Sequence, residues 1–133
     1  MEVKRAVIFT DGTAEPNPGP AAIGVTIKDE QGRLIASISE PIGQATNNQA
    51  EYRAIIAALE KTISLGINRA EICSDSELVV RQINGLYRVK NASLKPLYQK
   101  VKQLQDQLTG FSIIHVPREQ NKEADILAGN ALR

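Results

Sequence analysis

Two apolar runs, AVIFT and AEICS, are each followed at once by an aspartate, Asp11 and Asp75. Runs this short and this β-rich read as strands, so both aspartates stand at strand carboxyl ends. If the two strands lie side by side and parallel, both acids emerge at the edge where open α/β sheets bind ligands. Two further acids take positions that helices reserve for apolar groups. In ATNNQAEYRAIIAALE, Ile55, Ala58 and Leu59 follow Glu51 at i+4, i+7 and i+8, which puts Glu51 on the inward stripe. Near the C-terminus, Ala128 and Leu132 follow Asp125 at i+3 and i+7 and set it at an apolar boundary. Glu51 also has a local explanation, because Asn48 and Glu51 are spaced as a variant capping box. Capping accounts for one acid and leaves three. Unpaired buried carboxylates are costly, and a cluster of them is tolerable only if something cationic neutralises it.

The intervening pattern supplies a scaffold. Glu2 to Thr10 is the first β-rich run, and Ala21–Lys28 and Arg33–Glu40 flank a turn signal, Asp29-Glu30-Gln31-Gly32, that joins them as a hairpin. An amphipathic helix runs from about Asn48 to near Gly66, and a strand from Ala70 to Ser74 follows. Ser76 caps the helix SELVVRQIN, which Gly85 stops. A third helix opens at Ser93, tolerates Pro96 in its first turn, and aligns Leu94, Leu97, Tyr98, Val101, Leu104 and Leu108. Ser112–Val116 is the last strand and NKEADILAGNAL the last helix. The expected fold class is α/β: a five-stranded mixed sheet, three antiparallel strands then two parallel, with helices on both faces.

No repeat, low-complexity segment or linker-like break divides the 133 residues, and one domain over 1–133 is expected. The single cysteine, Cys73, excludes an internal disulfide framework, fits a reducing cytosol, and reads as a small buried strand residue. The N-terminal apolar run, Ala6 to Phe9, is too short for a signal peptide or a membrane span. A cytoplasmic protein with no membrane partner is expected. A net charge of +1 says nothing about a nucleic-acid partner, but the distribution does. From Leu86 to Gln105, Arg88, Lys90, Lys95, Lys100 and Lys102 follow one another with no acid between them. That is either a solvated helix face or the footprint of a polyanion.

The only His is His115, inside a strand, and the only Cys is Cys73, so no soft metal site is on offer. Carboxylates alone select a hard ion such as Mg²⁺ or Mn²⁺. Two such ions, about 3.5–4 Å apart, are a common device for in-line phosphodiester cleavage.

Taken in order, FTDGTAEPNPGPAAIG, ATNNQAEYRA, SDSELVVRQING and VPREQNKEADILA resemble the motifs of type 1 ribonuclease H, over nearly the whole chain and with all four acids matched. The resemblance implies a ribonuclease H-like fold and metal-dependent endonucleolytic hydrolysis of the RNA strand of an RNA–DNA hybrid duplex, leaving a 3′-hydroxyl and a 5′-phosphate. It implies two Mg²⁺ ions, for which Mn²⁺ can substitute. Asp11 would bridge both, Asp125 would help hold the ion that activates water, and Glu51 and Asp75 would hold the ion at the leaving group. By the same likeness, Thr46 is part of a pocket for a DNA-strand phosphate, and Asn17, Asn48 and Gln49 are minor-groove contacts near the cut. Asn121, in the last motif, joins the expected substrate-binding residues. Gly12, without a side chain, lets the RNA backbone approach. A hybrid offers 2′-hydroxyls on one strand only, so strand choice must rest on groups that meet them. Thr46 and Asn48 each have a helix-cap reading too, and both roles can hold together. No obligate protein partner is implied, and a monomer is expected.

The chain departs from the best-known members in two places. Many carry a His in the loop before the last aspartate; here the loop is PREQNKEA, and Arg118 is the candidate catalytic residue in its place. An arginine stays protonated, so it suits phosphate binding and not proton shuttling. His115 is read as a core or strand-surface residue. Some members also carry an extra basic helix and loop that grip the hybrid. Between Gly85 and Ser93 this chain has only LYRVKNA, so Tyr87, Arg88 and Lys90 are expected to substitute in part. Three other readings stay open. A nuclease of another specificity on the same fold is opposed by TNNQAE, and a binding module without catalysis by the four retained acids. Glycoside hydrolysis by paired carboxylates has zero Trp and three Tyr for sugar stacking. The chain also fits one domain of a longer protein, for example one fused to a phosphatase-like domain.

Overall fold

The computed structural model describes residues 3–133, in the order β1 (Ala6–Ala14), β2 (Gly19–Lys28), β3 (Leu34–Ala45), α1 (Asn47–Ser64), β4 (Arg69–Ser74), α2 (Glu77–Ile83), α3 (Lys95–Gln105), β5 (Gly110–His115), a 3₁₀ turn (Arg118–Gln120) and α4 (Lys122–Ala131). The strands form one sheet in the order β3-β2-β1-β4-β5. Strand β2 runs antiparallel to both β1 and β3, while β4 is parallel to β1 and β5 to β4. This is the mixed sheet the sequence pattern predicts.

Helices cover both faces, and two glycines show how. Successive residues of a strand point to opposite faces. A Cβ on Gly12 would strike the backbone of Ala50 in α1, and one on Gly24 the backbone of Ala124 in α4. Gly12 pairs with Ile23, the neighbour of Gly24, so α1 and α4 lie on opposite sides of the sheet. The main core fills the α1 side: Ile8, Ile23, Val25 and Ile27 of the sheet meet Tyr52, Ile55 and Leu59 of α1, Val79 and Ile83 of α2, and Val101 and Leu104 of α3. A buried hydrogen bond of 2.7 Å from the Tyr52 hydroxyl to Gln82 Oε1 ties α1 to α2.

Element boundaries differ from the sequence expectation where a partner strand decides them. Strand β1 begins at Ala6, and Glu2 lies outside the described residues. It continues to Ala14, four residues past Thr10, because β2 pairs with it as far as Ala14↔Ala21. Strand β3 likewise runs to Ala45 beside β2. Helix α3 starts at Lys95: the Asn91 side chain accepts from both the backbone N–H and the hydroxyl of Ser93, which makes that stretch a turn. Residues 84–94, between α2 and α3, form no helix or strand. Among the described residues no helix is long and apolar enough to cross a membrane.

Candidate active site

The parallel ladder between β1 and β4 ends at Thr10↔Ser74. Asp11 and Asp75 are the next residues, so they leave the ladder side by side. Asp11 is nevertheless inside β1 and not at its end, because β1 goes on pairing with β2 on its other edge. Glu51 arrives from α1. The cap of α1 is Thr46, whose Oγ1 accepts from Gln49 N at 3.1 Å while Gln49 Oε1 accepts from Thr46 N at 2.8 Å. The expected Asn48–Glu51 capping box is therefore displaced by two positions, and Glu51 plays no part in the cap. Its Oε1 accepts the Gly12 N–H at 2.9 Å instead. A Cβ on Gly12 would lie 2.2 Å from the Ala50 carbonyl carbon and 2.4 Å from Glu51 N, so glycine is what admits α1 this close to β1. Asp125 comes from the first turn of α4, on the other side of the sheet, and stands within hydrogen-bonding reach of Asp11.

Asp11, Glu51 and Asp75 each offer a carboxylate oxygen, and the three lie within 4.8 Å of one another. With Asp125 they line a cleft of about 310 Å³ that also takes in Gly12, Thr13, Asn47 and Arg118. Asp11 is 6% exposed and Glu51 8%. Burial, then the Asp75 and Asp125 carboxylates, push Asp11 from its ordinary 3.8 up to about 8, with Arg118 pulling the other way. Burial, then Asp11 and Asp75, hold Glu51 well above its ordinary value, and the Gly12 N–H opposes them. Crowding of this kind is relieved by a cation among the oxygens. The donor set is oxygen alone and convergent, which fits a hard divalent ion and not a soft one.

The other residues singled out by the sequence divide into three groups. Arg118 sits exposed in the 3₁₀ turn and lines the cleft, whereas His115 is exposed on β5. Thr46 and Gln49 are engaged with each other in the cap, Asn48 is half-buried, and Asn17 is exposed, its Oδ1 accepting from Asn47 N at 3.0 Å. Tyr87 and Arg88 line a separate cleft of about 580 Å³ with Lys95 and Tyr98, and Lys90 is exposed nearby in sequence. Asn121, expected among the substrate-binding residues, is 1% exposed. Sequence reasoning missed Asn47, which lines the carboxylate cleft and accepts the Ala14 N–H at 2.7 Å. Taking Thr46 as the cap would have found it, since Asn47 is then the first helical residue.

The family model described as Reverse transcriptase-like matches residues 9–131. The chain is 42% identical over 131 residues to Ribonuclease HI of Halobacterium salinarum, covering 96% of this chain and 64% of that protein. It is 39% identical to Bifunctional protein Rv2228c of Mycobacterium tuberculosis, covering 35% of that protein's length. The chain thus spans less than two thirds of these curated relatives. Among solved structures, it superimposes on RNase H1 from Halobacterium salinarum with a TM-score of 0.94 at 40% identity, covering 96% of this chain and 97% of that one. LC11-RNase H1, solved in complex with RNA/DNA hybrid, gives a TM-score of 0.91 at 42% identity, covering 96% of each chain. Strand order, the clustered carboxylates and these likenesses agree, and the chain belongs to the type 1 ribonuclease H family.

Proposed function

We propose that this chain is a metal-dependent endoribonuclease that hydrolyses the RNA strand of RNA–DNA hybrids, leaving 3′-hydroxyl and 5′-phosphate ends. The observation that carries the reading is the convergence of the Asp11, Glu51 and Asp75 oxygens within 4.8 Å, with Asp125 lining the same cleft. These four residues would hold two Mg²⁺ ions, with Mn²⁺ as substitute. When bound, the ions supply Lewis-acid polarisation of the scissile phosphate and a more acidic water.

The remaining steps belong to the chain. The Gly12 N–H holds one oxygen of Glu51 and so restrains the carboxylate at the cleft it lines. Arg118, permanently charged and beside Asp11, binds a phosphate oxygen and moves no proton. Proton transfer then falls to solvent or to the substrate. Asn17, Asn47 and Asn48, at the β1–β2 turn and the start of α1, meet the duplex in its minor groove. Thr46, held in the cap by Gln49, presents the rigid first turn of α1 to the DNA-strand phosphate, and Gln49 joins the minor-groove contacts. Tyr87, Arg88 and Lys90 grip the duplex farther out, in place of a basic protrusion. Residues 1–133 act as one ribonuclease H domain, as a monomer and in the cytoplasm.

The test is cleavage of an end-labelled hybrid beside single-stranded RNA, duplex RNA and duplex DNA, with Mg²⁺, Mn²⁺ or EDTA. Cutting confined to the RNA strand of the hybrid, lost in EDTA, is expected. Equal cutting of duplex RNA, or of DNA, would replace this specificity with another.

A further inference from the structure

We infer that Asn121 is a positioning residue, which holds Asp11 and Asp125 at the separation a bound cation requires; the inference rests on the ribonuclease H reading of the carboxylate site. Asn121 immediately precedes α4. Its Nδ2 donates to the backbone oxygen of Thr10 at 2.9 Å, and Thr10 is the residue before Asp11. Its own backbone carbonyl accepts the Asp125 N–H at 3.1 Å. One residue therefore grips the strand that carries Asp11 with its side chain and the helical turn that carries Asp125 with its main chain.

The two aspartates come from elements on different layers and repel when both are ionised. Outward movement of the first turn of α4 would relieve that repulsion. Against such movement the same turn offers an ion pair between Lys28 and Glu123, whose glutamate side chain is 66% exposed. Solvent screening leaves such exposed pairs a weak restraint. The buried Asn121 bond is the stronger restraint, because an amide sealed from water cannot exchange its partner for solvent.

The amide is also an expensive way to fill the space. Asn121 Oδ1 and Thr10 Oγ1 are both buried without a hydrogen-bond partner. An apolar side chain of similar volume would leave no orphaned acceptor at position 121. What it could not do is donate to Thr10, and that bond is the one thing the amide adds. Residues that orient metal-binding carboxylates from behind change metal affinity or activity about 10–100-fold when replaced.

The experiment compares the parent with Asn121→Ala and with Asn121→Leu, which keeps the volume and removes the donor. Mg²⁺ binding is titrated by calorimetry without substrate, and kcat and KM on the hybrid are measured across Mg²⁺ concentration, well below each melting temperature. The expected result is a Mg²⁺ midpoint raised about tenfold or more in both titrations, a lower kcat at a given Mg²⁺ concentration, and a hybrid KM within about twofold of the parent. Variants that melt lower but bind Mg²⁺ and turn over like the parent would make Asn121 a plain structural tie and overturn the inference. A raised KM with an unchanged Mg²⁺ midpoint would overturn it too, and return Asn121 to substrate contact. A parent that binds Mg²⁺ but cuts no hybrid would sink the ribonuclease reading alone, leaving calorimetry to judge Asn121. A parent that binds no Mg²⁺ would sink both.

Discussion

Asp11 carries the sharpest consequence for single residues. It binds a proton in the folded protein up to about pH 8, but only up to about its ordinary 3.8 once unfolded. Between those values the folded state holds more protons than the unfolded state, so stability falls as pH rises across that window. Denaturant melts in EDTA should show this fall, and Asp11→Asn should flatten it and raise stability at pH 8 by about 0.5–2 kcal/mol while abolishing cleavage. A variant less stable than the parent in EDTA at pH 8 would contradict the crowding that burial and the neighbouring acids create. The four acids were legible in the sequence, Asp11 and Asp75 directly after apolar runs and Glu51 and Asp125 on apolar helix positions. The contacts of Asn121 and Gly12 were not, since their partners lie 111 and 39 residues away, at the Thr10 backbone oxygen and Glu51 Oε1. Sequence assigned both to substrate; in the structure Asn121 is buried and bonded to Thr10, while Gly12 packs against α1 and also lines the carboxylate cleft.

At the scale of elements, α1 shows what local pattern can and cannot decide. Its apolar stripe and approximate limits were readable, but the cap was not, because TNNQ offers several candidates at adjacent registers. The Thr46–Gln49 box sets where the first turn begins, and hence which direction Glu51 faces one turn later. Thr46→Ala should cost about 1 kcal/mol by denaturant melting, and it should also lower kcat, because the frayed turn no longer presents Glu51 to the Gly12 N–H. Loss of stability with kcat intact would mean that Gly12 alone orients Glu51. Strand β1 teaches the complementary lesson. Its apolar core predicted a strand ending at Thr10, yet DGTA pairs with β2. Extension of a strand through an acid and a glycine depends on the partner's register, which no window of β1 contains.

Across the whole molecule, two clefts bear on the proposed function. The carboxylate cleft lies at the end of the β1–β4 ladder, while Tyr87, Arg88, Lys95 and Tyr98 line a second, more apolar one in and after the segment that follows α2. The basic run from Arg88 to Lys102 was legible as either a solvated helix face or a polyanion footprint, but its partition between this cleft and the α3 surface was not legible. The segment 84–94 between α2 and α3 carries two basic residues, Arg88 and Lys90, which the proposed function places on the duplex. Arg88→Ala should raise the hybrid KM several-fold with little change in kcat, and reduce the slope of log affinity against log salt by about 1. An unchanged slope would remove Arg88 from the duplex path. The central claim is that the four acids form one site, and the most direct measurement is the hybrid cleavage rate of Asp11→Asn, Asp75→Asn and their double variant in Mg²⁺. Groups that act as a unit are strongly non-additive, so each single variant should lose roughly a thousandfold or more and the double variant little beyond that. A single variant within about tenfold of the parent, or losses that multiply in the double variant, would show that the acids do not work as one site.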